Sequence, residues 1–269
     1  MNAHVESFHD PATSTFTHVV FDGEGGNAAI IDPVLDFDPA SARTSAASAR
    51  RVLGFVHAHA LHVDWILETH AHADHLTAAA WLKRETGAPV AIGRGITKVQ
   101  ERFKTLLGLE DDFPIDGSQF DRLFDDGDTF TVGRLAARVV ATPGHTDDSL
   151  TYLIGDAAFV GDTLFAPETG TARVDFPGGD ARKLYRSIHR LFGLPADTRI
   201  FLCHDYPQDR EARALTSIAD QAQRNIHVGG DASEQAFVEM RLKRDATLAA
   251  PKLIDPALRA NIRAGELPS

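Results

Sequence analysis

The chain has 269 residues, of which 43% are hydrophobic and 24% charged, with a formal net charge of −11; those are the proportions of an ordinary globular protein. The negative charge argues against a general nucleic-acid binder, which needs a basic face, and no apolar stretch approaches the roughly 18 residues needed to cross a bilayer. The single cysteine, Cys203, excludes an internal disulfide and any paired-cysteine zinc module. The first ten residues lack a basic region followed by an apolar core, so no secretory signal is expected and a cytoplasmic location is the default.

In chain order, Phe16–Phe21 and Ala28–Asp32 flank Gly23-Glu24-Gly25-Gly26-Asn27 and read as a hairpin. Residues 39–60, rich in Ala, Arg and Ser, have helical spacing. His57, His59 and His62 look metal-like but lie on or after that helix, and read as surface or core-edge side chains. A strand-like run, Val63–Glu68, then leads into Thr69-His70-Ala71-His72-Ala73-Asp74-His75, and a helix-like run, Leu76–Lys83, follows. Three histidines and an aspartate thus sit at the tip of a strand. Imidazole nitrogen and carboxylate oxygen are the ligands that divalent transition metals prefer.

Gly87 reads as a helix C-cap, Pro89–Ile92 as a short strand and residues 95–108 as a helix. Gly93-Arg94-Gly95 lacks the third glycine of a dinucleotide fingerprint. Asp126-Gly127-Asp128 is a turn before strands over 129–141 and 150–160. Helices are expected over 180–193, 210–225 and 233–247, with Pro251 and Pro256 breaking the last segment. The reading is one domain, 1–269, in which 228–269 is a C-terminal helical tail. Trp65 and Trp81 fit core packing, His189 and His227 structural roles, and Cys203 a small buried residue. No Gly-x-Ser-x-Gly elbow occurs.

Further candidate ligands close the later strands. Pro143-Gly144-His145-Thr146 follows Arg138–Ala141; Gly161-Asp162 ends the run through Phe159; Cys203-His204-Asp205-Tyr206 ends the run from Arg199. Layered α/β folds gather side chains from strand ends into one crevice, so a metal site is expected. Periodicity alone gives α/β.

His-x-His-x-Asp-His, then Gly-His, Gly-Asp and a His after a strand, resembles the metallo-β-lactamase superfamily from about residue 13 to 227. The wording of Thr69–His75, Pro143–Thr146, Gly161–Leu164, Ala172-Arg173-Val174-Asp175-Phe176 and Cys203–Tyr206 resembles the persulfide dioxygenases, also called sulfur dioxygenases. The Asp175–Gly179 stretch is similar to a bacterial branch of β-lactamase-like hydrolases. The resemblance implies an αββα sandwich, two mixed sheets packed face to face with helices outside. It also permits two metal arrangements. A dinuclear zinc hydrolase of thioesters or lactones, similar to glyoxalase II, would use His70, His72 and His145 at one ion, Asp74, His75 and His204 at the other, and Asp162 between them. A persulfide dioxygenase would hold one Fe(II) on His70, His145 and Asp162. His72, Asp74, His75 and His204 would then orient ligands and water by hydrogen bonds.

The resemblance favours the dioxygenase, oxidising glutathione persulfide or a related small persulfide with O₂ in sulfide detoxification; zinc, one or two ions, is the alternative. It gives Arg173 a contact with the glutathione moiety, and Tyr206 and His204 places beside the reacting groups; the alternatives are a surface ion pair of Arg173 with Asp175 and ordinary packing of Tyr206 at the domain edge. The segment after Asp205 lacks the long basic substrate domain typical of glyoxalase II. Neither nucleic acid nor membrane is an expected partner, and a homodimer is common in such enzymes. A binding or sensing protein on the same scaffold would keep the ligands without turnover. The loop Pro207-Gln208-Asp209-Arg210 departs from the family wording, which bears on thiol specificity. Glu168 reads as a solvated loop charge beside the approach to Arg173.

Overall fold

The computed structural model describes residues 2–207 and 209–267. The first sheet comprises β1 (His4–Asp10), β2 (Thr15–Phe21), β3 (Asn27–Ile31), β6 (His62–Leu67), β8 (Val90–Gly93) and β9 (Arg122–Phe124), hydrogen-bonded in that order. The second comprises β10 (Thr129–Val132), β11 (Leu135–Ala141), β12 (Leu150–Ile154), β13 (Ala157–Phe159), β14 (Arg199–Phe201) and β15 (Leu215–Ser217). A small third sheet joins β4 (Val34–Asp38) to β5 (Arg43–Ser45) and β7 (Leu76–Thr77).

The alternation of side chains along each strand builds the layers. On β3, Ala28 and Ile30 face one cluster while Ala29 and Ile31 face another. The inner cluster lies between the two large sheets and includes Leu67, Phe124, Val139, Tyr152 and Phe159. Outside the first sheet, α1 (Ala47–Ala58), α2 (Ala79–Thr86), α3 (Ile96–Leu106) and α7 (Ile254–Asn261) close a second cluster. Outside the other sheet, α4 (Ala181–Leu191), α5 (Ile218–Arg224) and α6 (Glu234–Asp245) close a third. The order is αββα, with both sheets mixed.

A bulge keeps β6 in phase. Ala28 pairs Val63 but Ala29 pairs Trp65, so Asp64 is the extra residue. Its carboxylate accepts from Asn27 Nδ2 at 2.6 Å and from the Gly133 N–H at 2.8 Å, which joins the two sheets at their edge.

Several expectations need correction. Residues 39–46 are not helical: β4 pairs with β5 and β7, and Asp36 on β4 accepts the Ser48 N–H at 3.0 Å to cap α1, which begins at Ala47. Leu76–Thr77 is strand, because Val34 and Leu35 supply a pairing edge; helix starts at Ala79. Residues 210–214 are loop, and Leu215–Ser217 adds β15 to β14 before Ser217 caps α5. Pro256 does not break the last segment. It sits in the first turn of α7, where a missing N–H costs nothing. Residues 228–267 therefore supply α6 to one outer layer and α7 to the other; 268–269 lie outside the described residues. Strand β1 was not anticipated; it pairs antiparallel along the whole of β2.

The loop carrying His145 is pinned to α4. Gly144 adopts φ +146, and a Cβ there would fall 2.3 Å from the Leu184 backbone N and Cα. Ser187 Oγ donates to the Pro143 carbonyl at 2.7 Å. Gly144→Ala is expected to cost about 2 kcal/mol or more, from positive φ and overpacking together. Urea denaturation measures it; a midpoint shift equivalent to less than about 0.5 kcal/mol would contradict this contact.

Candidate metal centre

The ends of β6, β11, β13 and β14 deliver the side chains. His70, His72, Asp74 and His75 leave the end of β6, His145 follows β11, Asp162 occupies a 3-10 turn after β13, and His204 follows β14. Gly161 permits that turn: its φ is +50, and a Cβ would stand 2.4 Å from Thr69 Oγ1. His70, His72, His75, His145, Asp162 and His204 are all buried, while Asp74 is partly exposed.

Four overlapping sets emerge whose ligand atoms lie within 4.8 Å of one another: His70, His145 and Asp162; His72, Asp74, His75 and His204; His72, Asp162, Cys203 and His204; and, behind them, Asp32, Glu68 and His72. Asp162 Oδ2 lies 4.0 Å from His70 Nε2 and 3.6 Å from His145 Nε2. Its other oxygen is 3.4 Å from His204 Nε2, and Asp74 Oδ2 is 3.4 Å from the same nitrogen. His72 does not join the first set. Its Nε2 lies 3.1 Å from Asp32 Oδ1 and 3.9 Å from Glu68 Oε2.

Hydrogen bonds behind the rings select their tautomers. His145 Nδ1–H donates to the Arg173 carbonyl at 2.7 Å and His204 Nδ1–H to the Ser14 carbonyl at 3.1 Å. Thr69 Oγ1 gives its proton to Asp32 Oδ2 at 2.9 Å and so accepts from His70 Nδ1–H at 3.1 Å. His75 Nδ1 lies 3.3 Å from Asp74 Oδ2. With Nδ1 so engaged, the Nε2 lone pairs are left for the centre.

The centre fits a cation. His70 Nε2, both ring nitrogens of His72, His75 Nε2, His204 Nε2 and Asp162 Oδ1 are buried with no hydrogen-bond partner among the described residues. Each such orphan costs about 1–3 kcal/mol unless something satisfies it. Burial, and then the neighbouring imidazoles, push His70 and His72 well below the usual histidine range, so both stay neutral and able to ligate. Burial opposes the charge on His204 too, but Asp162 and Asp74 outweigh it and raise that ring. A cation between them would replace the proton.

The sequence reading missed the groups behind the centre. Asp32 has φ +49, a strained geometry for a residue with a side chain. It is held by the Thr69 N–H, which it accepts at 2.7 Å, and by Thr17 Oγ1, which donates to its carbonyl at 3.0 Å. Glu68, buried below His72, is pushed well above the usual carboxylate range by burial and by Asp32, and accepts from Thr77 Oγ1. Asn261, last residue of α7, uses its whole amide: Oδ1 accepts the Thr77 N–H at 2.9 Å, and Nδ2 donates to the His72 and His75 carbonyls, both at 2.8 Å. Asp32 ends an apolar strand before Pro33, a readable signal; Asn261, 186 residues from His75, offered none.

A cleft of about 380 Å³ opens on Asp74, His145 and Asp162 and is walled by Phe165, Arg173, Phe176, Tyr206 and Arg244, among others. Arg173 and Tyr206 both line this cleft, but the Arg173 fork is occupied: Nε and Nη2 donate to Asp175 at 2.6 Å each, and Nη1 to the Ala249 carbonyl at 2.7 Å. Tyr206 stacks on His204 with ring centroids 5.7 Å apart. Glu168 pairs with Arg210 at 2.6 Å on the rim of the adjoining cavity, the loop charge expected of it. Pro207, Asp209 and Arg210 line that cavity; Gln208 lies outside the described residues.

His57, His59, His62, His189 and His227 belong to none of these sets. His59 pairs with Glu24 at 2.7 Å, His57 and His62 are exposed, His189 stacks on Tyr185, and His227 braces Thr171. Burial raises the Cys203 thiol well above its usual range, which makes it a poor nucleophile, although it lies close to His72, Asp162 and His204. No helix among the described residues is long and apolar enough to cross a membrane.

The family model of the metallo-beta-lactamase superfamily matches residues 12–204. The chain belongs to that superfamily. It is 50% identical to a probable metallo-hydrolase of Burkholderia pseudomallei, over 98% of this chain and 94% of that one. It is 44% identical to glyoxylase B2 of Dictyostelium discoideum, over 99% and 92%. It is 31% identical to the mitochondrial persulfide dioxygenase ETHE1 of Homo sapiens, over 95% and 86%. Among solved structures, ETHE1 from Myxococcus xanthus superposes with a TM-score of 0.78 at 34% identity, covering 98% of this chain and all of that one.

Asn261→Leu would leave two carbonyls and an N–H unpaired beneath the histidine motif. Metal affinity, read by competition with a chelator on folded protein, is expected to fall about 10- to 100-fold, as when groups that orient ligands are removed. Unchanged affinity would show that α7 does not hold the motif.

Proposed function

We propose that the protein is an Fe(II)-dependent persulfide dioxygenase that converts a small-molecule persulfide, glutathione persulfide or a relative, with O₂ and water into sulfite and the thiol, in sulfide detoxification. The observation that carries this reading is the three-membered set His70, His145 and Asp162, to which His72 does not belong. Two imidazoles and one carboxylate on one side of an ion leave open positions on the other. The likeness to ETHE1 over nearly the whole chain supports it.

Bound there, iron(II) would supply the redox change that activates O₂, which zinc lacks. The chain's own residues supply the rest. Asp32 and Thr69 orient His70, and the Arg173 carbonyl orients His145. Phe165 and Phe176 line the cleft and keep water from the reacting sulfur. Tyr206, stacked on His204, presents its hydroxyl to the cleft as a donor to a persulfide anion.

A second reading has its own support. His72, Asp74, His75 and His204 are also gathered, Asp162 faces both sets, and relatives at 44–50% identity carry glyoxylase or hydrolase names. That reading is a dinuclear zinc hydrolase of thioesters or lactones.

Oxygen uptake on adding glutathione persulfide to iron-loaded and zinc-loaded protein separates the two. Uptake with iron alone is expected; none from verified iron-loaded protein, with thioester cleavage by the zinc form, would contradict the dioxygenase. His145→Ala and Asp162→Ala should each lose iron retention, while His72→Ala keeps most of it. An equal loss in all three, read by metal analysis after gel filtration, would favour the dinuclear set.

A further inference from the structure

Three arginines line the cleft that opens on His145 and Asp162, and they differ in how they are satisfied. The fork of Arg173 is filled by Asp175 and the Ala249 carbonyl. Arg241 is buried, bonded to Asp245 and to the Thr171 carbonyl. Arg244, on α6, is exposed at the junction of this cleft with the adjoining cavity and has no carboxylate partner among the described residues. The polar neighbour of its guanidinium is His227 Nε2, 3.2 Å from Nη1.

His227 decides what kind of contact that is. The ring is 9% exposed, and its Nδ1 accepts the Thr171 backbone N–H at 3.0 Å, so Nδ1 carries a lone pair. Burial, reinforced by Arg241 and Arg244, lowers its pKa to about 4, so the ring is neutral at pH 7 and its proton sits on Nε2. Two donors, Nε2–H and Nη1–H, therefore face each other without an acceptor. The ring cannot turn away. Gly170, at φ +96, backs it so closely that a Cβ would stand 2.1 Å from Nδ1. Asn225 fixes both sides, donating to the Gly170 carbonyl and accepting the His227 N–H, each at 2.9 Å.

We propose that Arg244, which lines both cavities, anchors a carboxylate of the substrate's thiol carrier, with His227 behind it offering no acceptor that competes for the guanidinium. A guanidinium takes a carboxylate in a charge-assisted, directional bond, and that of Arg244 has no carboxylate partner among the described residues. The subsite moves the anchoring of the carrier from Arg173, which is already engaged, to helix α6. The identity of the substrate as a persulfide rests on the function proposed above; the affinity for a carboxylate does not.

The test uses glutathione and its diethyl ester, titrated by calorimetry into the metal-loaded full chain and into Arg244→Gln. The parent is expected to bind the free acid about tenfold more tightly than the ester, or about 1.4 kcal/mol. Arg244→Gln should abolish that preference and leave binding of the ester as it was, and should raise KM for glutathione persulfide by a similar factor. A parent that binds no glutathione or shows no preference for the acid, or a variant that weakens acid and ester alike, would overturn the subsite. A preference for the acid that depends on Arg244, in a protein that takes up no O₂, would keep the subsite and remove the dioxygenase. A dioxygenase without the preference would do the reverse.

Discussion

The structure turns on the burial of lone pairs that face one another. Five imidazole rings and two carboxylates meet at the ends of two packed sheets, and six of their buried atoms have no hydrogen-bond partner among the described residues. Left so, they would cost a large part of a typical domain stability of about 5–15 kcal/mol. A cation held by His70, His145 and Asp162 would relieve part of that cost by taking the inward lone pair of His70 and the charge of Asp162; His72, His75 and His204 keep carboxylates beside them instead. The same burial that lowers His70 and His72 keeps them in the form that ligates.

Much of the chain serves to keep those rings still. The Ser14 carbonyl, ahead of β2, takes the proton of His204, and Asn261, at the end of α7, grips the carbonyls of His72 and His75. Contacts from opposite ends of the sequence thus converge on one centre. Asp148 adds a third support by accepting the Ala71 N–H at 2.8 Å. Glycines make the approach close enough: Gly161 against Thr69 and Gly144 against Leu184 leave no room for a Cβ.

The centre itself was legible in the sequence, because each ligand follows an apolar strand and strand ends converge in layered folds. His70, His72, Asp74, His75, His145, Asp162 and His204 come together as that rule requires. What escaped was set by tertiary partners. Leu76–Thr77 has a helix-compatible composition but finds an edge on β4. Pro256 looks like a breaker, yet occupies the one part of a helix that tolerates it. Residues 39–46 have helical spacing, but the strand pairing of β4 with β5 wins. Arg173 was a fair candidate for an anionic substrate, but its competing local reading, an ion pair with Asp175 two residues on, is what takes its fork. Asn261 and the Arg244–His227 contact depend on where α6 and α7 dock, which no motif encodes.

The central claim is that a single ion is held by His70, His145 and Asp162. Iron-edge X-ray absorption on iron-loaded protein, together with a metal count per chain, tests it most directly. The account predicts one iron per chain, with scattering from two imidazoles and no metal–metal vector. Two metals per chain, with a vector at about 3.5–4 Å, would contradict it and assign the gathered second set to a second ion.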